Sequence, residues 1–353
     1  MTTPSTVDPL PVEEVARLAA AVLDEVHTAV VGMTTPLRTA LAAVLAGGHV
    51  LFEDVPGLGK TLAARSLATA LGLDFRRLQC TPDLLPSDIT GSLVFDPADA
   101  AFVFRPGPVF TGLFLADEIN RTAPKTQSAL LEAMAERQVT VEGTTHVLAE
   151  PFHVMATSNP VEYEGTYPLP EAQLDRFMVR LAVGYPTRDA EVDVLTRRLE
   201  RRRESAPVRP VVDATTLLAM QAGVETVAVD PDVLGYCVDL VEATRHHPSI
   251  EVGASPRGSQ ALTLVARGMA VLDGRGFVTP EDVKAIAVPA LAHRLTLTPQ
   301  AWAQGQEPDA IVASLLRQVA GPTSAPAATG ATAGLASGAE GVAAGNVRGP
   351  AGG

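Results

Sequence analysis

The sequence predicts an α/β protein: a mostly parallel five-stranded sheet with helices on both faces, followed by a small all-helical domain. Three observations predict it. Five short apolar runs, at 50–53, 75–79, 113–116, 152–156 and 178–183, are separated by segments of helical spacing. Apolar strands alternating with helices are the pattern of a parallel sheet buried on both sides. A glycine-rich turn joins the first run to the next helix, and beyond Tyr185-Pro186 the strand pattern stops.

The elements follow in order. Residues 1–11, rich in Thr and Pro, read as a frayed tail. From Val12, the residues Val15, Leu18, Ala19, Val22 and Val26 recur at helical spacing. Thr35-Pro36 opens a second helix over 37–46, which Gly47-Gly48 ends. Two segments interrupt the strand–helix alternation and read as β-hairpin insertions. One, at 92–109, carries Phe95, Phe102 and Phe104 around an Asp-Pro turn; the other, at 138–153, turns at Glu142-Gly143. This gives a core over 12–188. Residues 189–210 read as a charged linker helix and a Pro-broken connector, and 211–318 as four or five helices. The Ala/Gly-rich stretch 319–353 offers too little apolar surface to offset the cost of ordering, so a disordered tail is expected.

Composition bounds the function. The 353 residues are 46% hydrophobic and 19% charged, enough for a sizeable core in about two domains. A net charge of −13 argues against gripping nucleic acid through bulk charge. Two distant cysteines, Cys80 and Cys237, argue against a disulfide framework and suit a reducing compartment. With no leader-like N-terminus and no long apolar stretch, a soluble cytoplasmic protein is expected.

The strongest local signal is Asp54-Val55-Pro56-Gly57-Leu58-Gly59-Lys60-Thr61, after one strand and before a helix. Its glycines let backbone N–H groups wrap phosphate oxygens at a helix N-terminus. Lys60 would reach the β- and γ-phosphates, and Thr61 would offer its hydroxyl to Mg²⁺. Asp54 stands where a P-loop has its first glycine. At the strand end it is expected to lie outside the phosphate-wrapping turn, so that Asp54→Gly is tolerated. Downstream, 112–118 is an apolar strand ending in Asp117-Glu118. Asp117 suits the Mg²⁺ shell, and Glu118 suits polarising the attacking water.

Longer motifs add a resemblance. GLFLADEINRTAPKTQSALLEAM at 112–134 resembles the MoxR family of AAA+ ATPases, as do VVGM at 30–33, ATSNPVEYEGTYPLPEAQLDRF at 156–177 and GASPR at 253–257. The likeness runs over about 12–318, with Asp54, Met33 and Ser158 as departures. It implies an AAA+ αβα P-loop core with hairpin insertions and a helical lid, binding ATP through Val31 and the run Val55, Pro56, Gly57, Leu58, Gly59, Lys60, Thr61 and Leu62. Asn159 would be the first sensor, although before Pro160 it could equally cap a turn. Arg176 would be an arginine finger for the neighbouring subunit; its alternative is a surface ion pair with Asp175 or a nearby acid. Arg257 would be the second sensor, reaching across the interdomain cleft to the γ-phosphate. A homo-oligomeric ring, a hexamer, is implied, together with a von Willebrand factor A domain partner and a client protein that the ATPase remodels.

A clamp-loader-like nucleic-acid motor and a non-hydrolysing nucleotide-gated scaffold are the competing readings. The first lacks an added basic domain, and the second is opposed by the paired acids. His246-His247 lack a third ligand at metal spacing. The basic run Arg197, Arg198 and Arg201 to Arg203 interleaves with Glu191, Glu200 and Glu204, as a solvated face does. Trp302 reads as lid packing.

Overall fold

The computed structural model describes residues 7–160, 165–203 and 206–322. Of the tail expected from 319 onward, 323–353 lie outside those residues, as do 1–6 and Glu204.

Helices α1 (Val12–His27) and α2 (Thr34–Leu45) come first. The apolar spacing of α1 buries Val15, Ala19, Val22 and Val26 on one stripe. In contrast, α2 is buried nearly all round, from Leu37 through Leu45. Strand β1 (Val50–Glu53) leads through the glycine turn into α3 (Lys60–Ala70) and then β2 (Phe75–Gln79). A short helix, α4 (Pro86–Thr90), precedes the first hairpin, β3 (Gly91–Asp96) and β4 (Ala101–Pro106), where Phe95 and Phe102 pair across the strands. Then come β5 (Leu113–Asp117), α5 (Pro124–Glu136), the second hairpin β6 (Gln138–Val141) and β7 (Thr144–Val147), and β8 (His153–Ser158). The four-residue α6 (Glu171–Leu174) precedes β9 (Val179–Leu181), and α7 (Arg188–Arg201) leaves the sheet.

The five-stranded sheet has the order β2-β5-β8-β1-β9, with every pair parallel. Period-2 alternation divides its side chains between two cores. Val50, Phe52, Leu113, Leu115 and Met155 join one cluster; Leu51, Phe114, Ala116, Val154 and Ala156 join the other. The ends of β1, β5 and β8 therefore meet at the middle of the sheet, which is where the chemistry gathers.

The remaining helices are α8 (Ala214–Glu225), α9 (Pro231–His246), α10 (Pro256–Leu272), α11 (Pro280–Leu291), α12 (Pro299–Ala303) and α13 (Pro308–Gln318). Six helices stand where four or five are expected, because α12 is too short to show a period. Strands do not stop at 185 either: β10 (Ile250–Val252) and β11 (Thr296–Leu297) form an antiparallel ribbon between helices. Trp302, expected inside the lid, is 77% exposed. The helical part packs on the first core: α1, α2 and α8 to α11 share one apolar cluster. No helix among the described residues is long and apolar enough to cross a membrane.

Candidate active site

The turn after β1 is built on two left-handed glycines, Gly57 at φ 85° and Gly59 at φ 82°, a region closed to most side chains. Gly59 caps α3, so the first amides of that helix face the turn. A cavity of about 270 Å³ opens over it, lined by Pro56 to Thr61, Arg77, Gln79, Asp117, Glu118 and Thr157 to Asn159. The structure thus brings together the predicted P-loop, the acids Asp117 and Glu118 at the end of β5, and Asn159.

Lys60 is buried, and its ammonium donates to the Asp54 carbonyl at 2.6 Å. Burial lowers its pKa, while Asp54, Asp117, Glu118 and Glu53 pull it back up. An anion brought into the cavity would meet a poorly solvated positive charge, where attraction is strong. The Thr61 hydroxyl donates to Asp117 Oδ2 at 3.0 Å. A hydroxyl and a carboxylate at that spacing are an oxygen donor set suited to a hard cation such as Mg²⁺.

The two acids have separate supports. Thr157 ties them together: its hydroxyl donates to Asp117 Oδ1 at 2.6 Å and accepts from the Glu118 N–H at 2.7 Å. Arg77 also donates to Asp117 Oδ2, through Nε at 2.8 Å. Glu118 sits in the left-handed region, φ 58° and ψ 52°, a conformation that costs a non-glycine residue about 1–3 kcal/mol. Its carboxylate accepts from Gln79 Nε2 at 2.7 Å and Arg121 Nη1 at 3.1 Å. Asn159 is held by its backbone, whose carbonyl accepts from Asn120 Nδ2 at 3.0 Å. The sequence reading missed Arg77, Gln79, Arg121 and Thr157. Only the polar end of an otherwise ordinary strand, Arg77 and Gln79 on β2, could have signalled them.

A second cavity of about 530 Å³ shares Pro56 to Gly59 with the first. Its walls are 29–33, Leu62, 183–186, Glu191, Val194, Arg198 and Arg201. Val31 and Leu62 are therefore beside the P-loop, in an apolar recess next to the phosphate cavity. Arg198 and Arg201 join this wall instead of only a solvated face, while Arg197 pairs with Asp193.

Asp54 lies outside the lining of both cavities, as expected of the strand end, but its side chain is fully bonded: Oδ1 accepts from the Val55 N–H at 2.7 Å. Oδ2 accepts from the Val183 and Gly184 N–H groups at 2.8 and 2.6 Å.

Arg176 and Arg257 are not in the phosphate cavity. They line another, of about 450 Å³, with Arg137, Arg294, His49 and Asp175. Arg257 therefore does not reach across to the P-loop of its own chain. The start of α10 is held at Asp175 instead, which accepts from Ser255 Oγ at 3.1 Å and lies 3.9 Å from the Arg257 guanidinium. Farther along α10, Gly268 approaches the backbone of Ala42 on α2 so closely that a Cβ would fall 2.6 Å from the carbonyl oxygen. Arg176 does not pair with Asp175; it donates to the Leu131 carbonyl at 2.6 Å, and its Nε is buried without a partner. The partner of Asp175 is Arg294, 97% buried, at 2.8 Å. Arg294 also donates to the Phe177 carbonyl at 2.9 Å and to that of Ala290, fastening the helical part to the chain after α6.

Known proteins share this arrangement. Residues 49–179 match the model of the ATPase family associated with various cellular activities (AAA), and 242–315 match the AAA lid domain. YeaC of Bacillus subtilis is 47% identical over 310 residues, covering 88% of this chain and 97% of YeaC. Chaperone MoxR1 of Mycobacterium tuberculosis is 39% identical over 318 residues, covering 88% of this chain and 83% of MoxR1. A crystal structure from Cytophaga hutchinsonii, classed provisionally as an ATPase, is 40% identical with a TM-score of 0.82, covering 88% of this chain and 96% of the other.

Proposed function

Since the chain belongs to the MoxR family of AAA+ ATPases, we propose that it hydrolyses ATP to ADP and phosphate to drive remodelling or maturation of client proteins from a homo-oligomeric ring. The observation that carries this reading is the convergence of Lys60, Thr61, Asp117, Glu118 and Asn159 on one cavity that continues into an apolar recess.

In this reading the triphosphate lies over Gly57 to Thr61, with Lys60 on its β- and γ-oxygens and the adenosine against Val31 and Leu62. Thr61 and Asp117 would hold Mg²⁺, which supplies charge neutralisation of the phosphates. Glu118 orients and polarises the attacking water; Gln79 and Arg121 set the direction of its carboxylate. Asn159 orients the water from the end of β8. Arg176 and Arg257 serve the nucleotide of the adjacent subunit, since both line a cavity apart from their own P-loop. A cation there would neutralise charge developing on the transferring phosphoryl group. The chaperone role follows the name of the MoxR1 relative, and a von Willebrand factor A domain protein is the expected partner.

Phosphate release by the purified chain tests the reading. Wild type should turn over ATP, and Glu118→Gln should bind ATP without turning it over. Nucleotide binding with no release by wild type would favour the scaffold. Proteins that co-purify with the Glu118→Gln chain in its ATP state identify the client, and nucleic acid in that position would favour the rival motor.

A further inference from the structure

Asp54 is not among the residues lining either cavity, yet every polar atom it has is bonded. Its N–H donates to the Ser158 carbonyl at 3.1 Å, beside Asn159. Its carbonyl receives Lys60, and its carboxylate takes three backbone N–H groups. Capping the turn needs only the bond to Val55. The other oxygen bonds residues 129 and 130 positions further along the chain.

Those two residues, Val183 and Gly184, begin the 183–186 wall of the apolar recess. Pro186 and Ala190 pack in turn on Gly32, where a Cβ would come within 3.6 and 3.3 Å of their Cβ atoms. The recess is therefore closed by two segments, 30–33 and 183–190, that lean on each other. The carboxylate is what fastens the second of them to the P-loop. A negative charge this near the phosphates costs binding energy. Charge-assisted bonds to three amides offset that cost.

We infer that Asp54 is a positioning residue for nucleotide recognition: it locks the 183–184 backbone onto the P-loop so that the recess is preformed for the adenosine moiety. The inference rests on the proposed ATP site and adds the residue that makes it read the nucleoside as well as the phosphates. Without Asp54 the P-loop glycines and Lys60 remain, and the wall is free to move.

The test titrates the full chain, with Mg²⁺ present, against ATP and against inorganic tripolyphosphate, which carries the phosphates alone. For Asp54→Ala the expected result is ATP binding weaker by about 10- to 100-fold, with tripolyphosphate affinity changed less than about threefold. Asp54→Asn retains one oxygen acceptor and should fall between wild type and Asp54→Ala. Hydrogen exchange at the Val183 and Gly184 amides should quicken in the same order. Equal loss of both ligands would make Asp54 a phosphate-loop residue and overturn the inference, as would no loss of either. If Asp54→Ala does not fold, the Asp54→Asn ratio of ATP to tripolyphosphate affinity decides, and an unchanged ratio overturns the inference. A wild-type chain that binds neither ligand would overturn the nucleotide-site reading itself.

Discussion

The phosphate cavity and the arginine cavity are opposites built on the same sheet. The first holds Lys60, Asp117 and Glu118 and is walled by the left-handed glycines of the P-loop. The second gathers Arg137, Arg176, Arg257 and Arg294 with a single carboxylate, Asp175. One cavity can bind and position a triphosphate; the other can stabilise charge that develops on one. Neither contains both sets. The division itself motivates a second copy of the chain.

The largest effect should come from breaking that division. Arg176→Ala should lower turnover by roughly 10³–10⁵ with ATP binding almost unchanged, as for other arginine fingers. Lys60→Ala should lose nucleotide binding at its own site while still offering Arg176 to a neighbour. Mixing the two inactive variants should then restore activity that rises with protein concentration. Mixed assemblies that stay inactive would make Arg176 a residue of its own subunit.

Within the phosphate cavity, Glu118→Gln should reduce turnover by about 10²–10⁴ and leave ATP affinity intact. Loss of ATP binding instead would move Glu118 into the metal shell. Within the arginine cavity, Arg294→Ala should act on stability first. Removing one partner of a buried pair costs about 3–5 kcal/mol, visible as a lower denaturant midpoint. A change confined to turnover would give Arg294 a role in chemistry.

The smallest effect sharpens the contrast in charge. His49, at the floor of the arginine cavity, has its pKa lowered to about 3, first by burial and then by His153. Burial likewise brings His153 to about 4. Their ring nitrogens are committed: His49 Nδ1 accepts from the Val154 N–H while Nε2 donates to the Met134 carbonyl. His153 Nδ1 donates to the Gly48 carbonyl, and Nε2 accepts from Gln221. A folded pKa below the unfolded value of about 6.5 means the unfolded chain binds the extra protons. Their contribution is therefore complete above pH 6.5 and is lost as pH falls toward 4, by up to about 1.4 kcal/mol per unit for each ring. Urea titrations at pH 7.5 and 5.5 should show the difference, and His49→Gln should reduce it. An equal slope in that variant would assign the acid sensitivity elsewhere.

The phosphate cavity was the more legible of the two in the sequence. Its residues fall in short contiguous runs, 55–61 and 117–118, each tied to a strand end by apolar pattern. β1 and β2 are where the apolar runs put them, because buried parallel strands read as unbroken apolar stretches. The arginine cavity draws on residues from 47 to 294, and nothing local marks Arg294 as the partner of Asp175. The bonds of Asp54 were illegible for the same reason: its partners at 183 and 184 are distant in sequence and backbone in kind. Arg257 carried a familiar motif, but its place follows from α10, which is held at Asp175 at its start and packs on α2 farther along.

That packing has a consequence for how the chain is made. α2 leaves the ribosome before α10, yet its buried faces include contacts with that helix, roughly 220 residues later. At about 5–20 residues per second, the wait is on the order of 10–45 s. Until then Leu37, Leu41 and Leu45 lack part of their native cover. The segment cannot complete its packing until α10 has emerged, so the nascent chain carries an adhesive apolar surface for that interval.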